Sequence, residues 1–182
     1  MKVSDYKNNL NDFLKSYSYQ SVLTKKLDNL YDVTFTQLII NEIVLWKVNR
    51  YVLLNNDILL EINNLKALTT GMHQQAQTVL ECLLNTRGVD LPMASTFLRF
   101  RNPEVFQIID GHAYRAIYGR DYPLYTTSPI QRKISTYFEY LDKLIELCKK
   151  RNLDFQTIDR LLYEFDKRIN GNLRRKTRPR NK

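Results

Sequence analysis

The sequence predicts an all-α protein, on three observations. Glycine and proline are scarce, five of each among 182 residues, which favours helices with short connections over strands and turns. Hydrophobic residues, 43% of the chain, recur at three- and four-residue spacing over most of its length. The interruptions carry helix-ending signals: Asn55-Asn56-Asp57, Thr69-Thr70-Gly71, Asn102-Pro103 and Asn170-Gly171. A chain of this length supports one core, as a single domain or as two small lobes sharing it. No repeat and no linker forces a boundary, so residues 1–169 are expected to form one helical domain and residues 170–182 a basic, disordered tail.

Over residues 4–30, Phe13, Leu14, Tyr17, Val22, Leu23, Leu27 and Leu30 fall at mixed helical spacing and predict two short helices. Asp32 or Thr34 is placed to cap the next helix, which runs over 35–48. That segment is apolar on most sides and is expected at the centre of the core. Asn55-Asn56-Asp57 turns the chain and caps a short helix over 57–67. The next helix spans 72–84, with Val79, Leu80, Leu83 and Leu84 as its apolar stripe. Arg87-Gly88-Val89-Asp90 then makes a tight hairpin within 85–92. Its partner helix covers 91–100, with Pro92 in the first turn, where a missing N–H costs least. Residues 105–109, Val-Phe-Gln-Ile-Ile, have no partner run and predict an extended buried connector. A helix follows from Asp110 to Tyr118 and stops at Gly119. After a tyrosine-rich loop over 120–129, the last helices span 130–151 and 155–169.

The formal net charge of +9 is concentrated at one end. Residues 167–182 hold eight Lys or Arg and no acid, and removing them from 28 leaves 20 basic residues against 19 acidic ones. The body is therefore nearly neutral. A tail of this kind adds salt-sensitive, sequence-blind affinity for phosphate, or serves only solubility. No apolar run reaches the roughly 18 residues of a membrane span, and the first 18 residues lack the apolar core of a signal peptide. A cytoplasmic protein without a membrane partner is expected, with the monomer as its state. Cys82 and Cys148 both sit among helix-patterned apolar residues and are expected as reduced core thiols. Neither has a neighbour at zinc-ligand spacing, so neither a metal nor any other cofactor is expected.

Chemistry concentrates in residues 81–118. A hairpin before a helix turns unpaired N–H groups outward and adds the positive end of the helix dipole, which suits a phosphodiester. Gly88 supplies backbone freedom there, and Arg87 a charge-assisted contact. Further on, the apolar lead-in Phe106, Ile108 and Ile109 delivers a single carboxylate, Asp110, just ahead of a helix. Taken alone, the hairpin is an ordinary helical turn and Asp110 an N-cap. Their order and short separation give a joint reading, a protein that holds DNA by its backbone and works on one base.

The segments Gly-Val-Asp-Leu-Pro-Met-Ala-Ser-Thr and Phe-Gln-Ile-Ile-Asp-Gly-His-Ala-Tyr-Arg-Ala-Ile resemble the helix-hairpin-helix DNA glycosylases over about forty residues. Gly88 and Val89 fit that family's hairpin, Ala94 its small helix residue, and Asp110, His112 and Arg115 its later hydrophobic-Asp-x-His-x-x-Arg segment. The resemblance implies a two-lobed helical fold, DNA as partner and Asp110 as the catalytic carboxylate. It implies DNA contacts from Arg87, Gly88, Val89 and Asp90. Two departures matter. Asp90 replaces the second hairpin glycine: it either sets a carboxylate near the phosphate site and weakens DNA binding, or simply caps the following helix. Pro92 stands where bifunctional members carry a lysine nucleophile, which implies base removal without strand cleavage. Trp46, Lys47, Asn49, Arg50 and Tyr51 are candidates for the wall of a base pocket, with core packing as the competing role for Trp46. His112 and Arg115 are candidates for supporting the site, and Tyr114, Tyr118, Tyr122 and Tyr125 either stack on bases or pack together. A non-catalytic helix-hairpin-helix DNA-binding protein and a helical protein-interaction module are the alternatives. The sequence leaves the excised base open.

Overall fold

A computed structural model describes residues 1–18, 21–47, 52 and 54–171. The described residues are all-helical, with no strand among them, as the sequence predicts. The α-helices are α1 (Ser21–Asp28), α2 (Gln37–Lys47), α3 (Asn56–Asn64), α4 (Gln77–Asn85), α5 (Leu91–Arg101), α6 (Gly111–Tyr118), α7 (Ile130–Arg151) and α8 (Ile158–Asn170). Among the described residues no helix is long and apolar enough to cross a membrane.

Capping residues explain several of these boundaries. Asn55, Asp90 and Asp110 each cap the following helix, accepting from the amides of Ile58, Leu91 and Ala113 respectively. Thr36, rather than Asp32 or Thr34, starts α2: its Oγ1 accepts from Ile39 N and its carbonyl from Ile40 N. Gly119 (φ 68°) ends α6 in the left-handed conformation. The N-terminal region differs from expectation, forming 3-10 turns over Val3–Asp5 and Leu10–Ser16 before α1. Local side-chain bonds drive this, with Asn9 accepting from the amide of Asn11.

The expected central helix, α2, buries one face and exposes Leu38 (69%) and Leu45 (54%) on another. The helix at the centre is α5, whose residues are all buried except Pro92. Its polar end misleads a reading by hydropathy because each polar head meets an acceptor inside. Arg99 donates to Asp28 and to the Gln156 carbonyl, and Arg101 to the carbonyls of Tyr31 and Asn63. Asn102 donates to the carbonyls of Leu65 and Leu68. Cys148 is buried, but Cys82 is exposed, because position 82 falls off the buried stripe Val79, Leu80, Leu83 and Leu84 of α4.

The helices form two packing sets. In one, α8 packs on α6 and on the Leu10–Ser16 turn; in the other, α5 packs on α2, and α4 on α3 and α7. The connector between α5 and α6 crosses the interior. It turns at 103–105, closing on the Asn102 carbonyl, then runs through 106–110 with neither helix nor strand. Buried backbone needs partners, and side chains supply them. Tyr137 and Tyr140, both fully buried on α7, donate their hydroxyls to the carbonyls of Gln107 (3.0 Å) and Ile108 (2.9 Å). The amide of Ile109 donates to Ser95 Oγ on α5 at 3.2 Å. Replacing Tyr140→Phe leaves the Ile108 carbonyl buried without that donor. We expect a loss of about 1–3 kcal/mol, read as a lower urea midpoint at unchanged denaturant slope.

Candidate active site

The connector ends at Asp110, and the first turn of α6 fixes that carboxylate. Oδ1 accepts from the amide of Ala113 at 2.8 Å. Oδ2 lies 3.9 Å from Lys47 Nζ at the end of α2. Both residues line a cleft of about 220 Å³. Aromatic rings from three elements surround it: Trp46 on α2, Tyr17 after the N-terminal 3-10 turn, and Tyr163 on α8. Asp159 and Arg160, in the first turn of α8, complete the lining with Ile108 and Ala113. The volume is below the range of drug-sized sites (roughly 300–1,000 Å³) and suits a single flat ring system.

Trp46 serves the core as well as the cleft. Its indole N–H donates to Thr24 Oγ1 at 2.8 Å and its ring meets Phe100 edge-on. Burial, and next the negative charge of Asp159, push the Tyr17 phenol above its ordinary ionisation range, so its hydroxyl remains a donor. Arg50, Asn49 and Tyr51 lie outside the described residues.

The hairpin lies at the start of α5. Gly88 has φ 87°, a conformation that favours glycine, and no atom lies within 4 Å of where a Cβ would stand. Arg87 and Gly88 are exposed, while Val89 is buried and its amide is used within the turn, donating to Thr86. The amides of Arg87, Gly88 and Asp90 have no acceptor among the described residues. The carboxylate of Asp90 is offset by a cation the sequence reading did not pair with it. Lys133 on α7, itself buried, places Nζ 2.8 Å from Asp90 Oδ1 and donates to the Thr126 carbonyl. Tyr122, in the loop before α7, feels the charge of both carboxylates. Burial, then the charges of Asp90 and Asp110, raise its ionisation above the ordinary range.

His112 and Arg115 do not line the cleft. They turn to Asp166 on α8: His112 Nδ1 is 2.7 Å from its Oδ2, and Arg115 binds both oxygens. Arg115 also donates to the Gly171 carbonyl. His112 meets the cleft-lining Tyr163 edge-on from behind. These contacts hold α6 against α8, so that Asp110 and Asp159 share one cleft. Tyr114 stacks on Tyr118 and meets Tyr122 edge-on, so these three tyrosines pack together outside the cleft lining.

This chain matches no protein-family model, no curated protein and no solved structure. Sequence reading missed Tyr17, Asp159, Arg160 and Tyr163, because the cleft gathers them from elements far apart in the chain. Locally, Asp159 reads as an ordinary acid in the first turn of a helix.

Asp166 carries the pH dependence of this arrangement. Burial alone would raise its pKa, but bonds from His112, Arg115 and Asn170 outweigh that and hold it below the usual carboxylate range. A carboxyl depressed in the folded state stabilises fully above its unfolded value, about 4, and loses that contribution as pH falls through the folded value. Asp166→Asn is expected to cost about 3 kcal/mol at neutral pH, because Arg115 loses its partner. The gap from wild type should narrow as urea unfolding is followed from neutral pH down to about 2.5.

Proposed function

We propose that this protein is a DNA glycosylase that removes one base by hydrolysis and leaves the strand intact. The observation that carries the reading is Asp110, held at a helix start with one oxygen committed to the cap and the other beside Lys47, on the wall of an aromatic cleft. Breaking an N-glycosidic bond sends the bonding pair out with the base and builds positive charge on the deoxyribose. A fixed carboxylate stabilises that charge without reorganising, then accepts a proton from the water whose oxygen bonds to the sugar carbon. The base has to leave the stack to reach such a group, and the cleft between Trp46, Tyr17 and Tyr163 offers it aromatic surfaces.

DNA binding in this reading comes from the hairpin. The amides of Arg87, Gly88 and Asp90, without acceptors among the described residues, would receive a phosphate, with the exposed Arg87 adding charge. Lys133 neutralises Asp90, so the replaced hairpin glycine need not repel the strand. The cleft is lined from both packing sets, which supports treating them as two lobes in this reading. The basic residues of 172–182 add sequence-blind affinity.

Pro92 supplies no amine where bifunctional enzymes have one. Lys47 does bring an amine to Asp110, but as its ion-pair partner. Borohydride is therefore expected to trap little or no covalent protein–DNA adduct. Trapping that disappears in Lys47→Met would show instead that the enzyme cuts strands.

Binding without catalysis is the competing reading, favoured by the cap and ion pair that already occupy Asp110. Asp110→Asn separates the two, because Asn caps a helix as well as Asp does. We expect unchanged DNA affinity and a loss of base release on the order of a hundredfold or more. Equal release by both proteins, counted as alkali-labile sites in damaged or modified DNA, would sink the glycosylase reading. Removing residues 172–182, with their six Lys and Arg, should flatten the dependence of binding on salt. The slope of log K against log salt should fall by up to about five.

A further inference from the structure

The cleft contains a second carboxylate that the chemistry at Asp110 does not use. Asp159 stands in the first turn of α8, its side chain 5% exposed, on the lining of the same cleft. Its surroundings hold it in place. Oδ1 accepts from the amide of Arg160 at 2.8 Å, and Oδ2 lies 3.4 Å from Arg99 Nε. Arg99 and Arg160 both pair with Asp28, so Asp159 and Asp28 share Arg99 and two guanidinium groups balance two carboxylates at this end of the cleft. A carboxylate offers about four lone-pair sites and no donor. Asp159 uses one in a short bond and a second in a long contact, which leaves acceptor capacity on a residue that lines the cleft.

We propose that Asp159 reads the excised base and selects one that presents two adjacent N–H donors, the guanine-type edge; the inference rests on the glycosylase reading above. Two side-by-side N–H groups can meet the two oxygens of a carboxylate as a bidentate pair, in the way a guanidinium does. Uracil and thymine present one N–H between two carbonyls. Against Asp159 those carbonyl oxygens would face negative charge in a desolvated site, which rejects the base. A ring edge with one amino group beside a bare nitrogen makes half the match. Tyr17, whose hydroxyl stays protonated beside Asp159, supplies a donor for a base carbonyl. Trp46 and Tyr163 supply the surfaces for the ring faces.

The experiment compares base release by the wild-type protein from DNA carrying 8-oxoguanine, its hypoxanthine counterpart lacking only the exocyclic amine, or uracil. Asp159→Asn, which keeps the shape but turns one acceptor into a donor, is run on the same panel. We expect the wild type to prefer the amine-bearing base by roughly tenfold to a hundredfold over the counterpart, and uracil to be the poorest substrate. In Asp159→Asn that preference should collapse, with the amine-free base or uracil gaining relative to 8-oxoguanine. A ratio between substrates is unaffected by a smaller folded fraction, and the wild-type arm needs no variant. Faster release of uracil than of either purine by the wild type, or an unchanged ratio in Asp159→Asn, overturns the role of Asp159 and leaves the glycosylase reading standing. Release of no base from these or from other damaged DNA overturns the glycosylase reading itself, and Asp159 with it.

Discussion

Burying α5 on nearly every side brings two guanidinium groups and a carboxamide into the interior, and the need to satisfy them fixes how the other helices sit. Arg99 reaches the end of α1 through Asp28 and the start of α8 through the Gln156 carbonyl. Arg101 and Asn102 take up the carbonyls that end α3 and the turn after it, Asn63, Leu65 and Leu68. Those carbonyls sit at helix and turn ends, where acceptor capacity is left over, and each cation would be costly alone in a low-dielectric interior. The pairing solves both problems at once. It also keeps Arg99 charged: burial pulls its pKa down, while Asp159 and Asp28 raise it further.

The same helix relates the two halves of the site. The hairpin is the N-terminal entry to α5, and the connector that carries Asp110 leaves from its C-terminal end. Because α5 is rigid and the connector is bonded to Ser95, Tyr137 and Tyr140, the hairpin and Asp110 are held in a fixed relation. The proposed reaction, with a phosphate gripped at one place and a sugar cation stabilised at the other, would require that relation, since a small misplacement of reacting groups costs much of the rate. The Asp166 cluster does the equivalent task between α6 and α8, and so brings Asp159 to the cleft that Asp110 borders.

Local signals were legible where one residue decides a local event. Asn55, Asp90 and Asp110 as caps and Gly119 as a stop can all be read from the sequence, because each satisfies or releases backbone within a turn of itself. The extended course of the connector follows from its short β-prone run without a partner. Reading failed where hydropathy stands in for burial. Arg99 and Arg101 look like a solvated helix end and are core, whereas Leu38 and Leu45 look like core and are exposed. Cys82 fails for the same reason. His112 and Arg115 were legible as a pair near Asp110, but their common partner Asp166 lies more than fifty residues away in the chain.

By itself, then, the sequence determined the all-α class, most helix ends, the hairpin turn and a carboxylate poised at the start of α6. These depend on backbone hydrogen bonds and φ preferences that act over a few residues. Tertiary structure decided that Lys133 neutralises Asp90, that Lys47 stands beside Asp110, and that Tyr17, Trp46, Asp159 and Tyr163 meet around one cleft. Those outcomes depend on which buried charge finds which acceptor across the chain, and spacing along one sequence carries no record of that choice.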